Sequence, residues 1–137
     1  MSNTEIVKSM YAAFNKGDIA TVLNSLTDDV EWIVPGIGAI PFAGRYTSRK
    51  GVEGFFQKLA QTSETDPLVV ERYVEQADTV IALGTVTSRS KPQQKQSVSN
   101  FAMVFTFSGG KVAKFQEYFD TAAVAAAYAG DAQAARR

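Results

Sequence analysis

The stretch SVSNFAMVFTFSGGKVAKFQEYF, residues 97–119, decides the fold. Two alternating runs flank Ser108-Gly109-Gly110, and such runs joined by a short Gly-containing loop make a β-hairpin. In the first run the odd positions are bulky (Phe101, Met103, Phe105, Phe107) and the even ones small (Ala102, Val104, Thr106). In the second, Phe115, Glu117 and Phe119 alternate with Lys114, Gln116 and Tyr118. Strand side chains point to opposite faces in turn, so Glu117 stands between two phenylalanines on the otherwise apolar face. Closing the loop with Phe107 opposite Lys111 sets Met103 against Phe115 and Phe101 against Glu117.

Working outward, Leu68–Gln76 and Thr79–Ser90 read as further strands, joined at Ala77-Asp78, with the polar run 91–95 as an exposed tip before the hairpin. Towards the N-terminus, Ile6, Val7, Met10, Tyr11 and Phe14 recur at helical spacing over residues 3–16, closed by Gly17. Asp18 caps a second helix with Ile19, Val22, Leu23 and Leu26 on its apolar side. Asp28-Asp29 turns into a strand Val30–Val34, and Pro35–Gly44 reads as an apolar loop. Thr47 or Ser48 starts a third helix with the stripe Val52, Phe55, Phe56, Leu59. Asp120-Thr121 caps a last helix, and residues 130–137 read as a frayed tail. The order ααβαββββα, without repeat or linker, implies one α+β domain over residues 1–137, with helices on one face of a mostly antiparallel sheet.

Composition removes whole classes of chemistry. The chain has 137 residues, 14 Lys and Arg against 14 Asp and Glu, no His and no Cys. Formal neutrality argues against a nucleic-acid partner, which needs clustered cations to neutralise phosphates. Without Cys there are no disulfides, thiol nucleophiles or thiolate metal sites. Without His there is no Ser-His-Asp triad and no HExxH zinc site. No targeting segment and no run of about 18 apolar residues stands out, so the expectation is a cytoplasmic chain without a membrane partner. Metal and cofactor are expected to be none.

Glu117 is the residue with chemistry to offer. Apolar surroundings disfavour its charged form, raise its pKa and make it a proton donor or acceptor near neutral pH. An acid near a sheet's end, paired with a Lys or Arg, fits the same pattern. Asp120 is a second catalytic candidate, although its place before Thr121-Ala-Ala-Val reads first as a helix cap. Trp32 shares a face with Val30 and Val34, which suits either a pocket wall or a core. Tyr11 can present its hydroxyl to the same space.

Taken together, Tyr11–Asp18 (YAAFNKGD), Asp28–Trp32 (DDVEW), Phe42–Tyr46 (FAGRY), Gly51–Phe56 (GVEGFF), Asn100–Phe105 (NFAMVF), Gly110-Lys-Val112 and Glu117–Asp120 (EYFD) resemble the nuclear transport factor 2-like superfamily, and within it the SnoaL-like, ketosteroid-isomerase-related proteins. The resemblance spans nearly the whole chain. It implies a cone-shaped α+β roll of cystatin-like type, whose bent sheet wraps a pocket closed by N-terminal helices. It also implies a homodimer through the outer sheet face.

The chemistries of that superfamily are tested position by position. The tyrosine, the base and the oxyanion acid of true ketosteroid isomerases fall on Met10, Val34 and Met103, all apolar, which rules out that machinery. The arginine and aspartate of limonene-epoxide-hydrolase-like members fall near Gly84 and Val86. The acid of SnoaL-like polyketide cyclases falls on Glu117, although those enzymes also use a His that is missing here. The resemblance therefore implies an apolar pocket lined by Tyr11, Trp32, Val34, Phe101, Met103, Phe105, Phe115 and Glu117. Its ligand would be a small hydrophobic molecule, aromatic or carbonyl-bearing. Three functions stay open: acid/base catalysis by Glu117, binding without catalysis, and a protein-interaction module with a filled pocket.

Overall fold

A capping box opens the chain. Ser2 Oγ accepts from the Glu5 amide at 3.1 Å, and the Glu5 carboxylate reaches back to the Ser2 amide. The element order is α1 (Asn3–Asn15), α2 (Ile19–Asn24), β1 (Leu26–Val34), β2 (Gly44–Thr47), α3 (Ser48–Thr62), β3 (Ser63–Thr65), β4 (Val69–Gln76), β5 (Thr79–Ser90), β6 (Gln96–Ser108), β7 (Lys111–Phe119) and α4 (Thr121–Tyr128). This computed structural model describes residues 1–36 and 38–129, so the stretch 130–137, expected as a tail, lies outside the described residues.

The sheet has seven strands in the order β2-β1-β7-β6-β5-β3, with β4 also paired to β5. Among the described residues only β1 and β7 run parallel. One edge of β5 serves two partners in succession, Thr79–Thr85 against β4 and Ser88–Ser90 against β3. The sheet curls into a half-barrel. Gly84 permits the closest approach within it: a Cβ there would come within 2.1 Å of the Val69 carbonyl oxygen and 2.8 Å of Phe101 Cζ. The architecture is the expected α+β roll.

Two short strands, β2 and β3, escape a reading of the sequence. At four and three residues, with little or no buried apolar alternation, they carry no periodic signal. Asp28 and Asp29 lie within β1 rather than in a turn, where the register against β7 shifts between Leu26 and Glu31.

The β6–β7 register also differs from the simple closure. The loop is the two-residue Gly109-Gly110, with φ of 58° and 80°, the left-handed pair that a tight hairpin turn requires. Ser108 faces Lys111 and Phe107 faces Val112, but Thr106 faces Lys114, leaving Ala113 as a bulged extra residue. Met103 therefore faces Glu117, Phe105 faces Phe115, and Phe101 faces Phe119. The buried positions switch parity across this bulge, from Val112 to Phe115. Without it, Glu117 would turn to the outer face.

α1 and α3 close the inner face. Trp32 stacks on Phe115 with ring centres 3.9 Å apart at 20°, and meets Phe55 and Phe56 of α3 at 5.8 and 5.6 Å. Burying each such side chain contributes about 1.5–3 kcal/mol. Among the described residues no helix is long and apolar enough to cross a membrane.

Candidate functional site

Between the inner face of the sheet and the helices lies a cavity of about 110 Å³ with a largely apolar wall. Of the residues singled out in the sequence, Tyr11, Trp32, Met103, Phe105, Phe115 and Glu117 line it. Val34 and Phe101 do not. Val34 is packed into the core at 2% exposure, and Phe101 lies flat against Tyr11 at 6.3 Å and 21°, beside the space rather than on its wall. Asp120 is also off the wall. Its exposed carboxylate accepts from the Ala123 amide at 3.0 Å, which makes it the N-cap of α4.

Strand pairing sets Glu117 in a row running through Met103 of β6, Ala82 of β5 and Tyr73 of β4. Tyr11 of α1 hangs over this row. Its ring meets Tyr73 at 6.4 Å and Phe105 at 6.0 Å, and its hydroxyl donates to Met103 Sδ at 2.9 Å. A thioether is a weak acceptor, so this O–H is held in place without being strongly engaged.

Glu117 is the one carboxylate on the described wall, and no Lys or Arg joins it there. Among the described residues no ion pair or side-chain hydrogen bond reaches its carboxylate. Burial alone pushes its pKa up to about 7, because the charged form loses hydration and gains no counterion. Burial, and then the Glu117 charge, raise the Tyr11 pKa, so the phenol stays protonated. An acid half-ionised at neutral pH thus faces a cavity beside a phenolic donor.

Sequence reasoning missed other parts of the wall. Phe55, Phe56 and Leu59 come from the stripe of α3, which was legible as a helix face but not as a wall. Ser63, Thr65 and Ser88 supply hydroxyls from β3 and β5. Ser88 has a signal in retrospect, since it alternates in phase with the inward Val80, Ala82 and Val86.

This curled sheet closed over a cavity by helices defines the NTF2-like class. The chain belongs to the family described as SnoaL-like domain, whose family model matches residues 7–115. No curated protein compared with the sequence matches it. Among solved structures, an NTF2-like protein of unknown function from Burkholderia pseudomallei K96243 is 26% identical, with a TM-score of 0.87 over 95% of this chain and 100% of that one. An NTF2-like protein from Burkholderia xenovorans LB400 is 29% identical, with a TM-score of 0.81 over 93% and 95%. TerC, co-crystallised with polyporic acid, is 25% identical, with a TM-score of 0.82 over 92% and 97%.

Proposed function

We propose that this protein takes a small hydrophobic carbonyl compound into the cavity and that Glu117 moves a proton at the carbon next to the carbonyl. The observation that carries this reading is a lone carboxylate, without a cation, in an apolar cavity. A base with pKa near the working pH is where proton transfer is most effective. The carboxylate of Glu117 takes the α-proton, the C–H electron pair becomes a C=C bond, and the carbonyl π pair moves onto the oxygen as an enolate. The Tyr11 hydroxyl leaves Met103 Sδ and donates to that oxygen, which stabilises the charge that develops. Return of the proton to the same or a conjugated carbon gives exchange or isomerisation. The step asks only for a base, a donor and a dry cavity. TerC, a relative co-crystallised with polyporic acid, supports a small organic ligand.

The test is solvent-deuterium exchange at the α-carbon of an aromatic ketone such as para-acetylbiphenyl, followed by NMR. Wild type is expected to accelerate exchange with a rate rising through about pH 7, and Glu117→Gln to lose about a hundredfold or more. Tyr11→Phe is expected to lose a smaller factor, about tenfold to a hundredfold. Binding of the ketone without exchange by wild type would replace catalysis with a binding function.

The reading also includes a homodimer through the outer sheet face, where Val98 and Tyr118 stay 54% and 55% exposed. Light scattering is expected to give twice the chain mass, and Tyr118→Glu to shift it towards monomer.

A further inference from the structure

The proton transfer proposed above uses Glu117 as a base. The same carboxylate, once ionised, is also a seat for a positive charge. Glu117 is half-buried, whereas Phe115 two residues before it and Met103 across from it are buried, and it lines the cavity. Its accessible part therefore opens onto that space. Among the described residues no Lys or Arg shares the wall, and no ion pair reaches Glu117. The described chain leaves this charge for a ligand to balance.

Folding has already stripped water from the carboxylate, which is why its pKa stands at about 7. A cation entering the cavity is attracted through a medium of low dielectric and does not have to dehydrate its partner a second time. What remains is dehydration of the cation, which depends on its N–H groups. A primary ammonium brings three donors and a guanidinium five. Close to Glu117 the wall offers the Tyr11 oxygen, a thioether and rings, so most of those donors would be left unpaired. The hydroxyl of Ser88 is remote, because Ser88 pairs with Ser97, six residues along β6 from Met103. A nitrogen that carries methyl groups has one donor or none, and its surface is apolar.

The rings around the acid suit such a cation. Phe115 and Phe119 flank Glu117 on the same face of β7. Phe105 stands across from Phe115 with ring centres 5.2 Å apart, and Tyr11 lies 6.0 Å from Phe105. A cation within about 6 Å of a ring face is attracted by its π electrons, and quaternary ammonium groups are held in this way by aromatic cages. Size points to the same group. The cavity is about 110 Å³, and a cavity of about 150 Å³ holds a single benzene, so the charged head is compact. A phosphate attached near that head would set a second negative charge beside Glu117, with no Lys or Arg on the described wall to offset it. A free ammonium compound fits, and a phosphocholine headgroup of a lipid does not.

We infer that the cavity is also a cation site: a free, compact, N-methylated ammonium compound binds with its nitrogen against the Glu117 carboxylate and its methyl groups among Tyr11, Phe105, Phe115 and Phe119, and excludes the ketone while bound. This rests on the open cavity of the reading above and not on the proton transfer.

The probes are choline and 3,3-dimethylbutan-1-ol, which has the same shape with carbon in place of the charged nitrogen, titrated into the full chain and followed by protein NMR. Neither probe titrates between about pH 5 and 9, so any pH dependence belongs to the protein. Tyr11 is the other titratable group on the described wall, and burial keeps it protonated over that range. Tyr73, which meets the Tyr11 ring, is raised in the same direction, and Lys8 lies over the Tyr73 ring at 5.3 Å, off the wall. Wild type is expected to bind choline about thirtyfold more tightly at about pH 8.5 than at about pH 5.5, because the ionised fraction of Glu117 rises by that factor. The alcohol is expected to bind equally at both. Glu117→Gln is expected to flatten the choline profile and to lower affinity at about pH 8.5 by about tenfold or more. A flat choline profile in wild type overturns the cation site without any variant, so the test stays decisive if Glu117→Gln fails to fold. Choline binding no more tightly than the alcohol at about pH 8.5 also overturns it. Phosphocholine is expected to bind about tenfold more weakly than choline, and equal affinity overturns the free compound in favour of a lipid headgroup. Para-acetylbiphenyl binding without choline binding overturns the cation site and leaves the ketone reading standing, whereas choline binding alone does the reverse. Failure of all of these probes to bind overturns both.

Discussion

On the outer face of the sheet, Glu31 of β1 meets Arg45 Nη1 at 2.9 Å and Lys114 Nζ at 3.7 Å. Arg45 and Lys114 project from the neighbouring strands β2 and β7. On the inner face, three residues along β7 from Lys114, Glu117 has aromatic rings, a thioether and a phenol for neighbours and, among the described residues, no counterion. The same strand thus compensates one acid and isolates another. An acid resting beside cations at the surface costs little and contributes little. An acid held away from water and cations carries a stability cost, and its raised pKa is the measure of that cost. Their spacing of three puts Lys114 and Glu117 on opposite faces, and the bulge at Ala113 decides which is which, turning Glu117 inward and Lys114 out.

Substitutions on the two faces sharpen or break this contrast. The largest effect is expected from Trp32→Ala, which removes the stack on Phe115 and the contacts with α3, at a cost of about 4 kcal/mol in urea unfolding. A loss no greater than that from a surface change would mean that the inner wall is not a packed one.

Next comes Glu117→Gln. Below the ordinary glutamate value of 4.5 the side chain is protonated in both the folded and unfolded states, and above about 7 it is ionised in both. Between these limits the folded protein holds a proton that the unfolded chain releases, so stability falls as pH rises through that window. The full swing is about 3 kcal/mol. Glu117→Gln is expected to abolish that slope: its melting temperature should exceed that of wild type near pH 8 and match it near pH 4. Parallel pH profiles for the two proteins would show that Glu117 is hydrated or paired in solution.

Asp120→Ala is expected to cost about 1 kcal/mol through loss of the α4 cap, with ketone affinity unchanged in titration. A change in affinity without a change in stability would return Asp120 to the site. The smallest effect belongs to Glu31→Gln, about 0.5 kcal/mol, which should vanish in about 0.5 M salt as screening removes the surface pairs. A larger, salt-insensitive loss would erase the contrast between the faces.

Much of the fold was legible because its long elements carry strong periodic patterns. Strands β5 and β7 fall on the residues their alternation marks, and α1, α3 and α4 on theirs. Glu117 was legible for the same reason, being the polar exception between Phe115 and Phe119. The wall around it was less so. Val34 and Phe101 share the inner face with the lining residues, yet neighbouring side chains cover them. Alternation gives the face of a strand but not how far along it an empty space extends. Ser88 shows the converse: a hydroxyl in phase with the core reads as a minor polar intrusion until β3, too short to be seen, sets Thr65 opposite it.

By itself the sequence determined the element types, the inward face of each long strand and the absence of every His- or Cys-based chemistry, because side-chain period and composition are local properties. Tertiary structure alone decided the β6–β7 register, through a bulged Ala113, and the two strands that share one edge of β5. It alone decided that no Lys or Arg among the described residues lines the cavity with Glu117, and that Ser63, Thr65 and Ser88 share it. Those outcomes depend on which chain segments meet across long stretches of sequence, and no local pattern specifies that meeting.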